Sequence, residues 1–354
     1  MWGDIAIAFV LAFITSYVIV PYSMRLAKKV NAIDVPEERR INKVNMPRLG
    51  GLGIIAGFFV SMIYLIISIK LESKDTLDEY YLKIIGLFLG LTIIAIVGFI
   101  DDCKGMKPLV KLLGQTLAAG VVMAFGITIG DFNIPVFDKI IELNGVMEYI
   151  ITWFWIVGIT NAINLTDGLD GLSSGITLIA CVSLLIIFAS NGSPVISIIL
   201  ITALAGGIVG FLPYNVNPAK TYMGDCGSNF LGFSIAIISI LGIAKTYTII
   251  VIIAPLIVLA LPIFDTIFAI FRRIIKGKSL KAIFKPDSGH LHHRLMQLGY
   301  SQKEAVLILY GVATTLGMFA IILLESGIWK AVSFALLIIA IFAIGYKDLL
   351  KKNK

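Results

Sequence analysis

Charge is scarce in this chain: Asp, Glu, Lys and Arg make up 14% of its 354 residues, against roughly 25% in a soluble globular domain. No hydrophilic stretch is long enough to build a soluble domain, so the polar segments read as loops. The three cysteines, Cys103, Cys181 and Cys226, show no CxxC spacing and are expected as reduced thiols without a chemical role. A basic leader and a small-residue cleavage site are both missing around the first apolar run, so that run is expected to stay as a span. Alternating strand-type patterning is absent as well, which excludes a transmembrane barrel. What is present is 58% apolar residues and a mean hydropathy of +0.96, the composition of an integral membrane protein.

Cutting the chain at every Asp, Glu, Lys and Arg leaves long uncharged windows: 5–24, 49–69, 84–100, 112–130, 149–166, 171–190, 195–213, 230–244, 246–264, 305–324 and 331–346. Most approach the roughly 20 residues a helix needs to cross the hydrocarbon, and backbone groups in lipid must be satisfied within the segment. The reading is an all-α polytopic membrane protein with about eleven transmembrane helices. Lys and Arg accumulate on the cytoplasmic side. Seven fall between the first two windows and eight between the ninth and tenth, which puts the N-terminus outside and the C-terminus in the cytoplasm. Residues 1–354 form one membrane domain with cytoplasmic loops 25–48, 101–111, 166–171, 214–229 and 272–304. A basic inner rim favours anionic lipid and anionic substrates.

The unusual polar motifs all fall on that inner face. Asp101 and Asp102 close the third window. Both ionising so near lipid is costly, so they are either a hydrated cap or part of a cation site. NAINLTDGLDGL sets Asn161 and Asn164, then Asp167 and Asp170, at three-residue spacings, with glycines that allow a tight backbone. The terminal Glu of a calcium loop is missing. MGDCGSN places Asp225 in a glycine-rich turn, which reads either as a plain connector or as an anion cradle with a metal-holding carboxylate. Asp265 interrupts the ninth window seven residues before Arg272, as a site residue or as the buried partner of an Arg or Lys. The three histidines, His290, His292 and His293, lie within four positions beside Arg294. No Cys or carboxylate stands at zinc-ligand spacing from them, so they read as donors to phosphate or sugar oxygens rather than as a metal site.

In order and spacing, PRLGG, DDCKGMKPLVKLLGQ, NAINLTDGLDGL, YMGDCGSNFLG, LPIFDT and GHLHHRLMQLGYS resemble the polyprenyl-phosphate N-acetylhexosamine-1-phosphate transferases, glycosyltransferase family 4, over essentially the whole chain. The muramoyl-pentapeptide branch typically carries three consecutive histidines after Pro-Ile. Gly-His-Leu-His-His-Arg-Leu is instead similar to the branch that uses UDP-N-acetylglucosamine (UDP-GlcNAc) in teichoic acid or O-antigen synthesis.

The resemblance implies a membrane enzyme that transfers GlcNAc-1-phosphate from UDP-GlcNAc to undecaprenyl phosphate and releases UMP. It also implies a Mg²⁺ ion, with Mn²⁺ as a substitute. By motif position, Asp225 would ligate the metal with Asn164 as a second ligand, and Asp101 and Asp102 would deprotonate or position the lipid phosphate. Asp167 and Asp170 would hold the nucleotide end. Lys43, Arg48 and Tyr222 would lie near the uridine diphosphate, and Asn161 would also bind substrate. His290, His292, His293 and Arg294 would close over the sugar phosphate. The expected partners are the sugar nucleotide, the polyprenyl phosphate and membrane lipid, with no nucleic acid; a homodimer is left open. A donor specificity for UDP-MurNAc-pentapeptide is the nearer alternative. An ion-coupled transporter is the more distant one, and it would set its acids near the midplane on paired repeats.

Overall fold

The computed structural model describes residues 2–35, 44–72, 81–130, 132–134, 139–141, 143, 145–243, 249–279, 287 and 289–339. Lys43, expected near the substrate, lies outside them. The architecture is helical. The helices are α1 (Trp2–Lys29), α2 (Gly51–Glu72), α3 (Tyr81–Lys104), α4 (Pro108–Ala124), α5 (Gly145–Thr166), α6 (Leu172–Ser190), α7 (Val195–Asn215), α8 (Gly224–Ile243), α9 (Ile249–Val258), α10 (Ala260–Gly277), α11 (Leu291–Gln297), α12 (Gln302–Ser326) and α13 (Ile328–Ile339). The only strands among the described residues are two short antiparallel pairs. β1 (Ile33–Asp34) pairs with β2 (Met46–Pro47), and β3 (Phe132–Ile134) pairs with β4 (Lys139–Ile141).

Among the described residues seven helices, α1, α3, α5, α6, α7, α8 and α12, are long and apolar enough to cross a membrane, while α2, α4 and α13 offer shorter apolar stretches. The ninth apolar window is not one helix. It is split at Leu259 between α9, which contains Pro255, and α10, whose first turn contains Pro262. Proline removes a backbone donor and crowds the preceding turn, so uninterrupted hydropathy across this window conceals a break.

Burial sorts the helices into layers. The most apolar 18-residue windows of α7 and α8 are 83% and 89% buried, against 22% for α1 and 28% for α12. A helix that is apolar on all sides belongs inside, and α8 has α3 and α5 against it, with α2 and α7 in further contact. Exposed Ile, Leu, Val and aromatic side chains cover the outer helices, as hydrocarbon on the outside requires.

Close approach of the central helices depends on glycine. A Cβ on Gly98 of α3 would collide with the Cys226 backbone of α8, and one on Gly51 of α2 would collide with the Gly227 backbone. These contacts bring the inner end of α3 and the first turn of α8 together, where the polar motifs meet. Replacing Gly98 with Ala should destabilise the folded protein by about 1–3 kcal/mol through overpacking. Gly120→Ala on α4, where a Cβ meets open space, should be neutral or slightly stabilising. Thermal unfolding of the two variants in the same detergent checks the contrast.

Candidate active site

The site begins where α3 stops. Adjacent helix positions point about 100° apart, and Asp101 and Asp102 accordingly face different partners. Asp102, 6% exposed, accepts the backbone N–H groups of Asp225 at 2.8 Å and Cys226 at 2.9 Å, one on each carboxylate oxygen. These are first-turn donors of α8, which have no partner within their own helix, and a carboxylate there also complements the helix dipole. Asp101 accepts from the Met106 backbone N–H at 2.7 Å and pairs with Lys111 at 3.2 Å.

Lys111, in the first turn of α4, closes the cluster. Its ammonium forms an ion pair with Asp225 and lies 3.2 Å from both Asp101 Oδ2 and Asn164 Oδ1. From the end of α5, the Asn164 amide nitrogen donates to Asp225 at 2.6 Å and to Ser228 Oγ at 2.7 Å. One cation is thus ringed by oxygens from α3, α5 and α8.

A cavity of about 570 Å³ opens beside this cluster. Its lining brings together Asp102, Asn164, Asp167, Asp170, Asp225, Arg48, Tyr222 and His293, which are spread over about 245 residues of sequence. Asp167 lies in the turn between α5 and α6. Burial, aided by the carboxylates of Asp225, Asp102 and Asp170, pushes it up to about 8. Asp170 is committed to the loop after α7: its Oδ2 accepts from Asn217 Nδ2 at 2.9 Å and from the Ala219 N–H at 3.1 Å. Asn217 also donates to Gln302 at 3.1 Å, so the start of α12 borders the same cavity. Arg48 is paired with buried Asp34 of β1, and Tyr222 is set beside it by its N–H to Pro47 O at 2.8 Å.

The histidines divide. His293 lines the cavity. His292 is 3% exposed, and its Nε2 has no hydrogen-bond partner. That nitrogen lies where a Cβ on Gly168 would be, so the glycine of Asp167-Gly168 makes room for it. Burial holds the His292 imidazole down to about 3 and keeps it neutral. His290 is turned away from the cavity onto Asp265, Nδ1 to Oδ2 at 2.8 Å. Arg294 is exposed and is not among the lining residues.

The sequence-based expectations differ from this arrangement at several positions. Asp265 is the buried partner of a histidine rather than of an Arg or Lys, because Arg272 is paired with Asp287 instead. Asn161 is not at the cavity. Its amide nitrogen donates to Gln115 at 2.7 Å and to Val157 O at 2.8 Å, and Gln115 donates in turn to Asn229 at 3.0 Å. Buried amides pair this way when lipid or core leaves no water to satisfy them. Lys111, Gln115, Asn217 and Gln302 were missed. Lys111 had a usable signal: a cation at the very edge of an apolar window, in the same motif as Asp101 and Asp102.

Among the described residues no group of three or more His, Cys, Asp or Glu side chains forms a ready-made metal cage. The donor set nonetheless suits Mg²⁺, which keeps several waters and is commonly held by one or two carboxylates plus substrate phosphates. Asp225 and Asn164 present hard oxygen ligands on one wall of the cavity, and the position of the Lys111 ammonium marks where those oxygens favour positive charge.

The glycosyl transferase family 4 model matches residues 84–243, the stretch from α3 through α8 that supplies most of the cluster. A probable undecaprenyl-phosphate N-acetylglucosaminyl 1-phosphate transferase of Bacillus subtilis (strain 168) is 39% identical over 342 residues, covering 96% of this chain and 90% of its own. A decaprenyl-phosphate N-acetylglucosaminephosphotransferase of Mycobacterium tuberculosis (strain ATCC 25618 / H37Rv) is 31% identical over 318 residues, covering 84% and 77%. A phospho-N-acetylmuramoyl-pentapeptide-transferase of Desulfitobacterium hafniense (strain DSM 10664 / DCB-2) is 30% identical over 356 residues, covering 93% and 100%. With 39% identity across nearly its full length, this chain belongs to glycosyl transferase family 4.

Proposed function

We propose that the protein transfers GlcNAc-1-phosphate from UDP-GlcNAc to undecaprenyl phosphate at the cytoplasmic face of the cell membrane. The observation that carries this reading is the convergence of Asp102, Asp167 and Asp225 with Arg48 and Asn164 on one cavity at the ends of the helices. The relatives add the donor and the lipid: the 39% identical one is named for N-acetylglucosaminyl phosphate and undecaprenyl phosphate, and those named for the muramoyl-pentapeptide are 30% identical or less. With the N-terminus outside, as the loop charges suggest, these residues would all lie on the inner side. Acids at helix ends, rather than near the midplane on paired repeats, favour transfer over transport.

A phosphate oxygen of the lipid attacks the β-phosphorus of the sugar nucleotide, the bond to the bridging oxygen breaks, and UMP leaves. Such transfers need positioning and charge stabilisation more than covalent chemistry. A bound Mg²⁺, held by Asp225 and Asn164, would supply positive charge to the diphosphate. Lys111 balances Asp225 and Asp101. Asp102, with both oxygens committed to α8, orients Asp225 rather than acting as a base. A phosphate monoester has a second pKa near 6, so the acceptor arrives largely dianionic and needs no base. Asp167 and Asp170 hold the nucleotide side with Tyr222 stacked on the uracil. Arg48 and His293 face the phosphates.

The direct test is UMP release by detergent-solubilised protein given undecaprenyl phosphate and Mg²⁺, with UDP-GlcNAc, UDP-GalNAc and UDP-MurNAc-pentapeptide as donors. UDP-GlcNAc should be preferred. Labelled sugar nucleotide accumulating in vesicles without UMP would sink the reading in favour of transport. Asp225→Asn should lose more activity than the roughly 10–100-fold typical of an outer-shell metal partner, with its thermal unfolding still cooperative.

Asp167 makes a pH-dependent contribution whose sign is fixed. Its carboxyl in the folded protein titrates near 8, well above the roughly 3.9 of an unfolded Asp. The stability it contributes is therefore fully present below about pH 4 and is lost as pH rises to about 8. Asp167→Asn should flatten thermal stability across that window in the ligand-free protein, and a melting series from pH 5 to 8 reads it.

A further inference from the structure

Helix α10 grips the histidine-bearing segment at two points. Asp265 Oδ2 receives His290 Nδ1 at 2.8 Å, and its Oδ1 accepts the Leu291 N–H at 2.9 Å. Arg272 pairs with Asp287, Nε to Oδ2 at 2.8 Å, while Asp287 Oδ1 accepts the Gly289 N–H at 3.2 Å. Asp265 and Arg272 are seven residues apart, about two helical turns or 10 Å on one face. Two oppositely charged groups on α10 thus take hold of both ends of Asp287–Leu291. Gly289 is part of the fitting, since a Cβ there would strike the Arg272 guanidinium.

The gripped segment carries the imidazoles onward. The His290 and His292 rings are stacked with centroids 5.8 Å apart and planes 10° from parallel, and the His292 and His293 centroids are 4.2 Å apart. His293 ends at the cavity, and His292 packs on Gly168 in the Asp167 turn. None of Asp265, Arg272 and Asp287 lines the cavity.

We infer that Asp265 is a positioning residue: through His290 and the Leu291 amide, and with the Arg272–Asp287 pair as a second clamp, it holds His292 and His293 in register with the Asp167-Gly168 turn. Its consequence for turnover rests on the transferase reading above; its consequence for the histidines does not. The role is hydrogen bonding, so Asn should serve. Its Oδ1 accepts from Leu291 N–H, and its Nδ2 donates to His290 Nδ1 in the other tautomer.

The test reads two quantities on purified full-length protein. Carbethoxylation by diethyl pyrocarbonate, located by fragment-ion mass spectrometry, reports exposure of His292, with partly exposed His293 as internal reference. UMP release reports kcat and KM. Asp265→Ala should raise His292 modification at least about tenfold and lower kcat about 10²-fold, the scale of a misplacement of about 1 Å in a catalytic constellation. Asp265→Asn should keep His292 protected and retain most of the turnover. Gly289→Ala, which disturbs the other clamp, should move both readouts in the direction of Asp265→Ala, and it carries the test if Asp265→Ala does not fold. Protected His292 with unchanged kcat in Asp265→Ala and Gly289→Ala would overturn the inference. So would Asp265→Asn as impaired as Asp265→Ala with His292 still protected, because the carboxylate charge would then be what matters. Absence of UMP release by the wild type would defeat the transferase reading, and His292 modification would still decide the positioning role.

Discussion

The junction of α3 with α8 carries the rest of the site. Asp102 spends both oxygens on the first-turn N–H groups of α8, and Gly98, one turn earlier on α3, lets the two backbones touch. Donors that would otherwise be unsatisfied at a buried helix start are expensive in a medium without water. The carboxylate removes that cost and at the same time fixes the direction of the Asp225 side chain, whose own N–H it holds. A charge placed to satisfy backbone therefore also sets the geometry of the group most exposed to a bound cation.

Concentrating acids at the inner end of a helix bundle creates a second demand, for countercharge. Removing one partner of a buried ion pair leaves an uncompensated charge and is far costlier than the pair's net worth. The bundle meets part of this demand with Lys111, which pairs with both Asp225 and Asp101, and with Arg48 on Asp34 at the cavity. Burial is the main cause of the raised proton affinity of Asp167, and the carboxylates of Asp225, Asp102 and Asp170 add to it. The cavity lining thus holds more carboxylates than cations, a setting in which the divalent cation proposed above would add positive charge beside Asp225 and Asn164.

Much of this was legible in the residue order, and the failures have physical causes. Hydropathy found the apolar segments because lipid imposes one solvent on all of them. It ran α9 and α10 together because the prolines that separate them are themselves uncharged. The acidic motifs could be assigned to one face from loop charge, and adjacency shows that Asp101 and Asp102 point apart, yet which partner each meets depends on α8 arriving from over a hundred residues later. Asn161 and Asn164 are alike in the sequence and differ in the fold, since one helical turn separates the end of α5 at the cavity from its interior, where Gln115 is the available partner. The histidines clustered in sequence, but a turn at Leu291 sends His290 to α10 and His293 to the cavity.

That division of the histidines bears on how a helical membrane protein can hold a polar segment beside its cavity. A segment lying outside the hydrocarbon gains little from hydrophobic burial against lipid, and its order must come from directed bonds. Here the bonds come from α10, which also presents Phe264, Phe268, Phe271 and Ile275 outward, each more than half exposed. One helix thus carries both an exposed apolar stripe and the carboxylate and guanidinium that hold the histidine segment. His292, seated on Gly168 in the Asp167 turn, is tied through the stacked His290 ring to that carboxylate.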